Sequence, residues 1–321
     1  MQAGRLILAT EQLQRAISAD SGITFRRGVN KKHFEAYLFL APWFIGLIAL
    51  TAGPLIASLY LSFTSYDMLQ APNWVGLQNY IKLFTSDGRY LHALRVTFIY
   101  VFVGVPLNLA FALAVALLLK QKVRALGLFR GIYYLPSLLG GSVAVAVIWR
   151  QLFNRGGVIN EGLALLGINA PNWIGTPQYA VYTLVLLHVW QFGSAMIIFL
   201  AGLQQVPPEL YEAAEVDGAT AWQKFWNVTL PMITPVLFFN LVLGIIHSFQ
   251  AFTSAYIVSG GLGGPADSTM FYTLYLYQQG FKSFHMGYAS AMGWILLLII
   301  AVFTTINFVA SSRWVYYGDD R

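Results

Sequence analysis

The sequence predicts an all-α, polytopic membrane protein with six transmembrane helices, and three observations carry that prediction. Only 10% of the 321 residues are charged and 57% are hydrophobic, whereas a soluble domain carries roughly 25% charged residues to cover its surface. The mean hydropathy is +0.61. The charged residues also leave six windows, 37–63, 96–119, 131–149, 179–203, 232–258 and 286–310, free of Asp, Glu, Lys and Arg. A spanning helix needs about 20 apolar residues, and each window reaches or nearly reaches that length. This pattern excludes a soluble enzyme and a nucleic-acid-binding module. With no cysteine in the chain, it also excludes a disulfide-stapled secreted domain.

Residues 1–36 form a basic arm carrying Arg5, Arg15, Arg26, Arg27, Lys31 and Lys32. Leu6, Leu13 and Ile17 fall at helical spacing, which predicts a short amphipathic helix on the membrane surface. No apolar stretch precedes residue 37, so the first window reads as a retained anchor and not as a cleaved signal. Pro54, Pro106 and Pro136 kink the first three spans, and Gly140-Gly141 lies near the middle of the third. Proline is tolerated in a span when neighbours satisfy the freed carbonyl, and Asn108 is expected to do so at the second kink. So few Gly and Pro residues predict kinked but continuous spans. Trp43, Trp149 and Trp173 lie near span ends and read as aromatic-belt anchors. Residues 158–168 are apolar enough for a short outer helix.

Loop charges set the orientation. With both termini inside, thirteen of the 19 Lys and Arg residues lie on the cytoplasmic side, as the positive-inside rule requires. Residues 37–312 then form the six-helix transmembrane domain, and residues 313–321 a cytoplasmic tail.

The segment 204–231, on the cytoplasmic side, breaks the apolar pattern and concentrates four of the chain's 13 acids. Pro208 suits the first position of a helix, where its missing N–H costs nothing. Glu209, Glu212 and Glu215 follow, favourable toward a helix N-terminus. Gly218 is a natural left-handed stop. A helix over 209–217, a glycine turn and a second helix over 219–227 form an elbow before Pro231 opens the fifth span. Ala213 and Ala214 give the elbow a small-side-chain face that another surface can approach.

These residues resemble a known family. Pro207-Pro208-Glu209-Leu210-Tyr211, Glu212-Ala213-Ala214, Asp217-Gly218-Ala219, Leu230-Pro231 and Pro235 are similar, over some twenty-five positions, to the EAA loop of membrane subunits of binding-protein-dependent ABC importers. The stretch Phe249–Gly261 with Gly264-Pro265, Tyr272–Tyr277 and Gly287–Ala291 resembles the carbohydrate-uptake branch. Within it, the likeness is to the first permease of maltose-type systems, alginate-oligosaccharide importers included. The extra N-terminal spans and large external domain of the maltose member are absent here. The resemblance implies that Glu212, Ala213, Ala214, Asp217, Gly218 and Ala219 form a coupling helix and turn that dock on a cytoplasmic ATPase. It also implies the partners: a second, non-identical permease, two ATPase subunits, a periplasmic or lipid-anchored solute-binding protein that lands on the outer loops, and a carbohydrate cargo. The location implied is the bacterial inner membrane.

No G-x-x-x-x-G-K-[ST] sequence occurs, so ATP–Mg belongs on the partner subunits and this chain is expected to bind no cofactor and catalyse nothing. No pair of His residues stands at metal-ligand spacing on one helix. For the cargo, the fifth span offers Asn240, His247, Gln250 and Ser254 as a polar stripe, and the fourth offers His188 and Gln191. Polar groups in a span face the bundle interior or a water-filled path, and each alone is as readily an interhelical hydrogen bond. Three other readings compete. An integral-membrane enzyme needs a nucleophile–base or metal constellation, and no such spacing occurs. An ion-gradient-driven transporter usually needs a carboxylate at membrane depth, and the windows have none. An ABC permease for a non-sugar solute shares the EAA loop, and only the Phe249–Ala291 stretch argues against it.

Overall fold

The computed structural model describes residues 29–121 and 125–316, with side chains from residue 37 onward. The helix expected from Leu6, Leu13 and Ile17 lies outside the described residues, as does the end of the tail. The chain divides into two units, Met1–Ala57 and Ser58–Arg321.

The first unit holds helix α1 (Val29–Leu47). A wider π turn over Ile48–Ala52 follows, closed by the Gly53 N–H on the Ile48 carbonyl, and leads into α2 (Gly53–Ser62). The wide turn lies just ahead of Pro54, whose ring would clash with the carbonyl four residues back in a regular helix.

The second unit takes in the end of α2 from Ser58 and then a two-residue antiparallel pairing, β1 (Thr64–Ser65) with β2 (Asn73–Trp74), Thr64 opposite Trp74. Helix α3 (Gln78–Thr85) follows. The organising element is α4 (Gly88–Lys120), 33 residues with Pro106 inside. Asp87 caps its start by accepting from the Tyr90 N–H at 3.0 Å, and Lys120 lies in its last turn, where a cation suits the dipole. Ala93, Val101, Val105, Ala112 and Ala116 of α4 are buried in the main core.

Around α4 lie α5 (Leu126–Leu139), α6 (Val143–Phe153), α7 (Val158–Leu165), α8 (Pro177–Trp190), α9 (Gly193–Gln205), α10 (Pro208–Val216), α11 (Ala221–Lys224), α12 (Leu230–Met232), α13 (Thr234–Phe249), α14 (Thr253–Val258), α15 (Tyr272–Tyr277) and α16 (Met286–Trp314). Small residues let these helices approach α4 and one another. A side chain added at Gly244 would lie 3.0 Å from Val105, and one at Gly202 would lie 2.6 Å from Val236. Close backbone approach of this kind is how helices associate where no hydrophobic driving force acts.

Three apolar helices, Tyr37–Ser62, Gly88–Lys120 and Met286–Trp314, are long enough to cross a membrane unbroken. They fall on the first, second and sixth charge-free windows. The other three windows do not hold continuous helices, contrary to expectation. They are bent pairs: Leu126–Leu139 with Val143–Leu165 at 95°, Pro177–Trp190 with Gly193–Gln205 at 43°, and Ala221–Met232 with Thr234–Phe249 at 66°. The fifth window is also cut at its far end, where α13 stops at Phe249 and α14 restarts at Thr253. Two of the bends carry a local signal. Ser142 caps α6 through its side chain after Gly140-Gly141, and Pro235 stands at the start of α13.

Trp149 does not anchor an interface. It is buried, donates its indole N–H to the Thr183 carbonyl at 3.0 Å, and packs with Phe153 and Trp190. Trp173 instead holds α7, donating to Asn160 Oδ1 at 2.7 Å. The short helix expected at 158–168 is present as α7, over Val158–Leu165.

Candidate functional site

The helix breaks meet. A cavity of about 450 Å³ lies among α4, α5, α6, α8, α9, α13 and α14, within the roughly 300–1,000 Å³ range of small-molecule sites. It collects all six polar residues that the sequence singled out: His188, Gln191, Asn240, His247, Gln250 and Ser254. They are not one stripe of one helix. Asn240 and His247 lie on α13, Gln250 caps its end, and Ser254 belongs to α14. The broken chain turns Gln250 and Ser254 back onto the same space.

Residues the sequence reading did not assign here also line the cavity, among them Tyr100, Ser137, Ser142, Phe252 and Thr253. Asn108 lines it too, and its role differs from the one expected. Its side-chain amide donates to the His188 carbonyl at 2.7 Å, across to α8, and not to its own helix at Pro106. The cavity wall is thus rich in hydroxyl, amide and imidazole groups beside aromatic faces. Among the described residues that line it there is no Asp, Glu, Lys or Arg.

Side chains from neighbouring helices satisfy the backbone groups that the breaks release. Gln191 donates to the Gly140 carbonyl at 3.0 Å. Ser137 donates to the Gln191 carbonyl at 2.8 Å and accepts from the Ser194 N–H at 3.0 Å. Thr273 donates to the Ala251 carbonyl. An unpaired backbone group in this setting would cost several kcal/mol, so these bonds make the breaks stable features of the wall. A Cβ at Gly140 would collide with the Gln191 side chain at 2.2 Å, so the Gly140-Gly141 pair also makes room for the tie. Gln191 therefore serves the framework of the cavity as well as its lining.

The elbow stands apart from this cavity and is built as the sequence suggests, with shifted limits. Helix α10 runs Pro208–Val216, with proline in its first turn. Gly218 follows at φ +74°, and the Gly218 and Ala219 N–H groups return to the carbonyls of Glu215 and Ala214 at 3.0 and 2.8 Å. The second helix begins two residues later than expected and runs past the expected end, α11 continuing through a π turn over Phe225–Thr229 into α12. Thr220 and Gln223 cap it reciprocally. Neither α10 nor α11 buries a residue. Glu212, Ala213, Asp217 and Gly218 are exposed, and Val216 and Trp222 are 89% and 68% exposed.

At the end opposite the elbow, as the chain runs along α13, residues 259–285 fold inward. Met270, Phe271, Tyr272 and Leu274 are buried. Asp87 accepts from the hydroxyls of Tyr275 and Tyr288 at 2.7 and 2.6 Å, and Arg89 pairs with both oxygens of Asp267 at 2.9 and 2.8 Å. Burial alone would raise the Asp87 pKa. The hydrogen bonds from Tyr288, the Tyr90 N–H and Tyr275 outweigh it and hold the carboxyl below its ordinary value. The described residues contain no group of three or more His, Cys, Asp or Glu placed to hold a metal ion.

Comparison with known proteins now identifies the chain's relatives. Residues 85–315 match the family model described as binding-protein-dependent transport system inner membrane component. A probable ABC transporter permease protein of Bacillus subtilis (strain 168), YesP, is 50% identical over 292 residues, covering 91% of this chain and 94% of the relative. The lactose transport system permease protein LacF of Rhizobium radiobacter is 31% identical over 298 residues, 90% of this chain and 99% of the relative. The arabinooligosaccharides transport system permease protein AraP of Bacillus subtilis is 33% identical over 285 residues, with 88% and 90% covered. Among solved structures, a chain of the bacterial alginate ABC transporter in complex with an alginate pentasaccharide-bound periplasmic protein has the same fold. Its TM-score is 0.75 at 22% identity, over 88% of this chain and 96% of that one.

Proposed function

Because the chain belongs to the binding-protein-dependent transport system inner membrane component family, and is a multi-pass permease subunit of a sugar or oligosaccharide ABC importer in the inner membrane, we propose that the cavity is its share of the sugar path and the elbow its coupling helix. In this reading the six charge-free windows cross the membrane with both termini in the cytoplasm, the bent helices within 131–149, 179–203 and 232–258 each serving as one span. Residues 1–36 and 313–321 are cytoplasmic, and 37–312 form the transmembrane domain.

The observation that carries the reading is the contrast in chemistry between the two places. The cavity offers Asn240, His247, Gln250, Ser254, His188 and Gln191 beside Phe252 and Tyr100, a set suited to sugar hydroxyls and to the apolar faces of sugar rings. Broken helices around a central site are a recurring transporter design. The elbow offers an exposed acidic helix with no core of its own. One of two partner ATPases, which hold ATP–Mg, docks on Glu212, Ala213, Ala214 and the Asp217-Gly218-Ala219 turn. Their closure on nucleotide moves the elbow, and the bundle rocks between inward- and outward-open states. A second, non-identical permease completes the path, and an external solute-binding protein delivers the sugar to the outer loops.

The test is Glu212→Lys. The variant chain is expected to insert at wild-type level, to lose co-purifying ATPase and to lose uptake. Unaltered co-purification and uptake would remove the coupling assignment.

A further inference from the structure

The elbow and the cavity are separated along the molecule, and one chain of contacts joins them. Lys120, in the last turn of α4, places its Nζ 3.0 Å from the Tyr211 hydroxyl and 4.2 Å from the centre of the Tyr211 ring. Tyr211 lies on α10, next to Glu212. Its hydroxyl also shares a hydrogen bond of 3.0 Å with Thr229 Oγ1, which in turn reaches the Lys224 carbonyl at 3.4 Å. Lys224 then pairs with Glu215, back on α10, at 2.7 Å. Tyr211 is half-buried and Thr229 is buried, while Lys120 is exposed, so the joint has a packed inner side at Thr229 and an open outer side at Lys120. The elbow thus grips the end of one membrane helix, α4.

Helix α4 is the element that reaches the cavity. Asn108 stands twelve residues before Lys120, about 18 Å along a regular helix, and donates to the His188 carbonyl at the end of α8. That carbonyl adjoins the break between α8 and α9, where Gln191 holds Gly140. A displacement of Tyr211 therefore has a continuous path of packed and hydrogen-bonded groups to two of the cavity's helix breaks. Chains of packed side chains and hydrogen bonds can carry coupling between distant sites, and this path is such a chain from the elbow to the cavity wall.

We propose that Lys120 and Tyr211 are positioning residues that pass the stroke of the elbow to α4 and so to the cavity wall; the inference rests on the reading of the elbow as the ATPase-coupling helix. Tyr211 supplies both a ring face for the ammonium and a hydroxyl for it to bond, so the joint resists both sliding and separation. Glu212 makes the docking contact, and its neighbour Tyr211 carries the motion inward.

The experiment uses the assembled complex of permeases and ATPases in nanodiscs. The chain has no native cysteine, so cysteines introduced at the exposed outer positions Leu69 and Leu165 (87% and 89% exposed) carry spin labels. Their separation is read with and without ATP–Mg and vanadate. The complex without further substitution is expected to shift on nucleotide. Lys120→Met and Tyr211→Phe are each expected to reduce the shifted population at least about 5-fold, the low end of allosteric coupling, with ATPase still co-purifying in full. Lys120→Arg, which keeps the cation and its donors, is expected to shift as the parent does. Tyr211→Phe keeps the ring and the packing, so it stands in if Lys120→Met does not insert. A full shift in Tyr211→Phe and in Lys120→Met would overturn the proposal. So would release of the ATPase by Tyr211→Phe, which would give the hydroxyl a docking role. Failure of the coupling reading itself gives a different signature: ATPase retained by Glu212→Lys, or no nucleotide shift in the parent complex.

Discussion

The two ends of this molecule are built on opposite plans. At the end that carries residues 259–285, the chain folds back on itself. Tyr272 is fully buried, with its N–H on Thr97 and its hydroxyl on the Met292 carbonyl, and Asp87 gathers two tyrosine hydroxyls and a backbone N–H. At the elbow, α10 and α11 bury nothing, and Val216, Trp222 and Glu212 face outward. One end satisfies most of its polar groups internally, Tyr90 OH and Ser268 Oγ being the exceptions among the described residues, and the other leaves its surface for something else. The difference teaches that stability and coupling are located apart: substitutions at the first end should unfold the protein, and those at the second should disconnect it.

The largest expected effect tests the first half of that statement. Gly287 lies in the first turn of α16, and a Cβ there would lie 2.1 Å from the Thr64 carbonyl oxygen. Gly287→Ala should cost about 3 kcal/mol, the upper range for overpacking, read as a lower unfolding temperature of the purified permease. Asp87→Ala comes next. It removes the acceptor of the Tyr275 and Tyr288 hydroxyls, both residues buried, and should cost about 2 kcal/mol by the cost of unsatisfied buried hydroxyls, allowing for solvent at the half-exposed carboxylate. Gly218→Ala at the elbow meets open space and opposes only the φ of +74°, so it should cost roughly 1–2 kcal/mol. Its larger consequence should be a misaligned α10 and reduced ATPase co-purification, the reverse of the balance at Gly287. Equal loss of ATPase binding in both glycine variants at matched stability would break the comparison.

A smaller effect follows from pH. Asp87 and Asp267 both have carboxyl groups held below their ordinary values, Asp267 by its hydrogen bond from Arg89. A depressed carboxylate contributes stability that is present above its unfolded pKa and lost as pH falls through the lower folded value. The unfolding temperature should therefore hold steady from pH 7 down to about pH 5 and drop below about pH 4, where ordinary carboxylates titrate. Asp87→Asn should flatten that drop. An identical acid profile in the variant would show that Asp87 is not part of the acid response.

How far the sequence reached follows the same division. The charge-free windows located the three unbroken helices because length and apolarity are local properties, and the elbow was legible because Pro208, the run of glutamates and Gly218 are local signals of start and stop. The bends were not legible. Their stability comes from Gln191 bonding Gly140, Ser137 bonding the Gln191 carbonyl and Thr273 bonding Ala251, pairs that lie from 22 to 54 positions apart in the chain. Gly140-Gly141 was visible, but a glycine pair alone does not say whether another helix will satisfy the released carbonyls. The cavity was half legible. Polarity inside an apolar window marked His188, Gln191, Asn240, His247, Gln250 and Ser254, and all six converge. Asn108 carried the same signal but sits next to a kinking proline, which drew the assignment to its own helix and away from His188. Tyr100 and Phe252 carried no signal, since an aromatic residue in an apolar window looks like any other.

The central claim is that the exposed elbow lies in the cytoplasm beneath an ATPase. The cysteine-free background allows a direct test with Val216→Cys, 89% exposed on α10, and a membrane-impermeant maleimide applied to spheroplasts. The account predicts no labelling until the membrane is opened, then labelling that bound ATPase subunits suppress. Labelling of intact spheroplasts, or full labelling with the ATPase subunits bound, would contradict it.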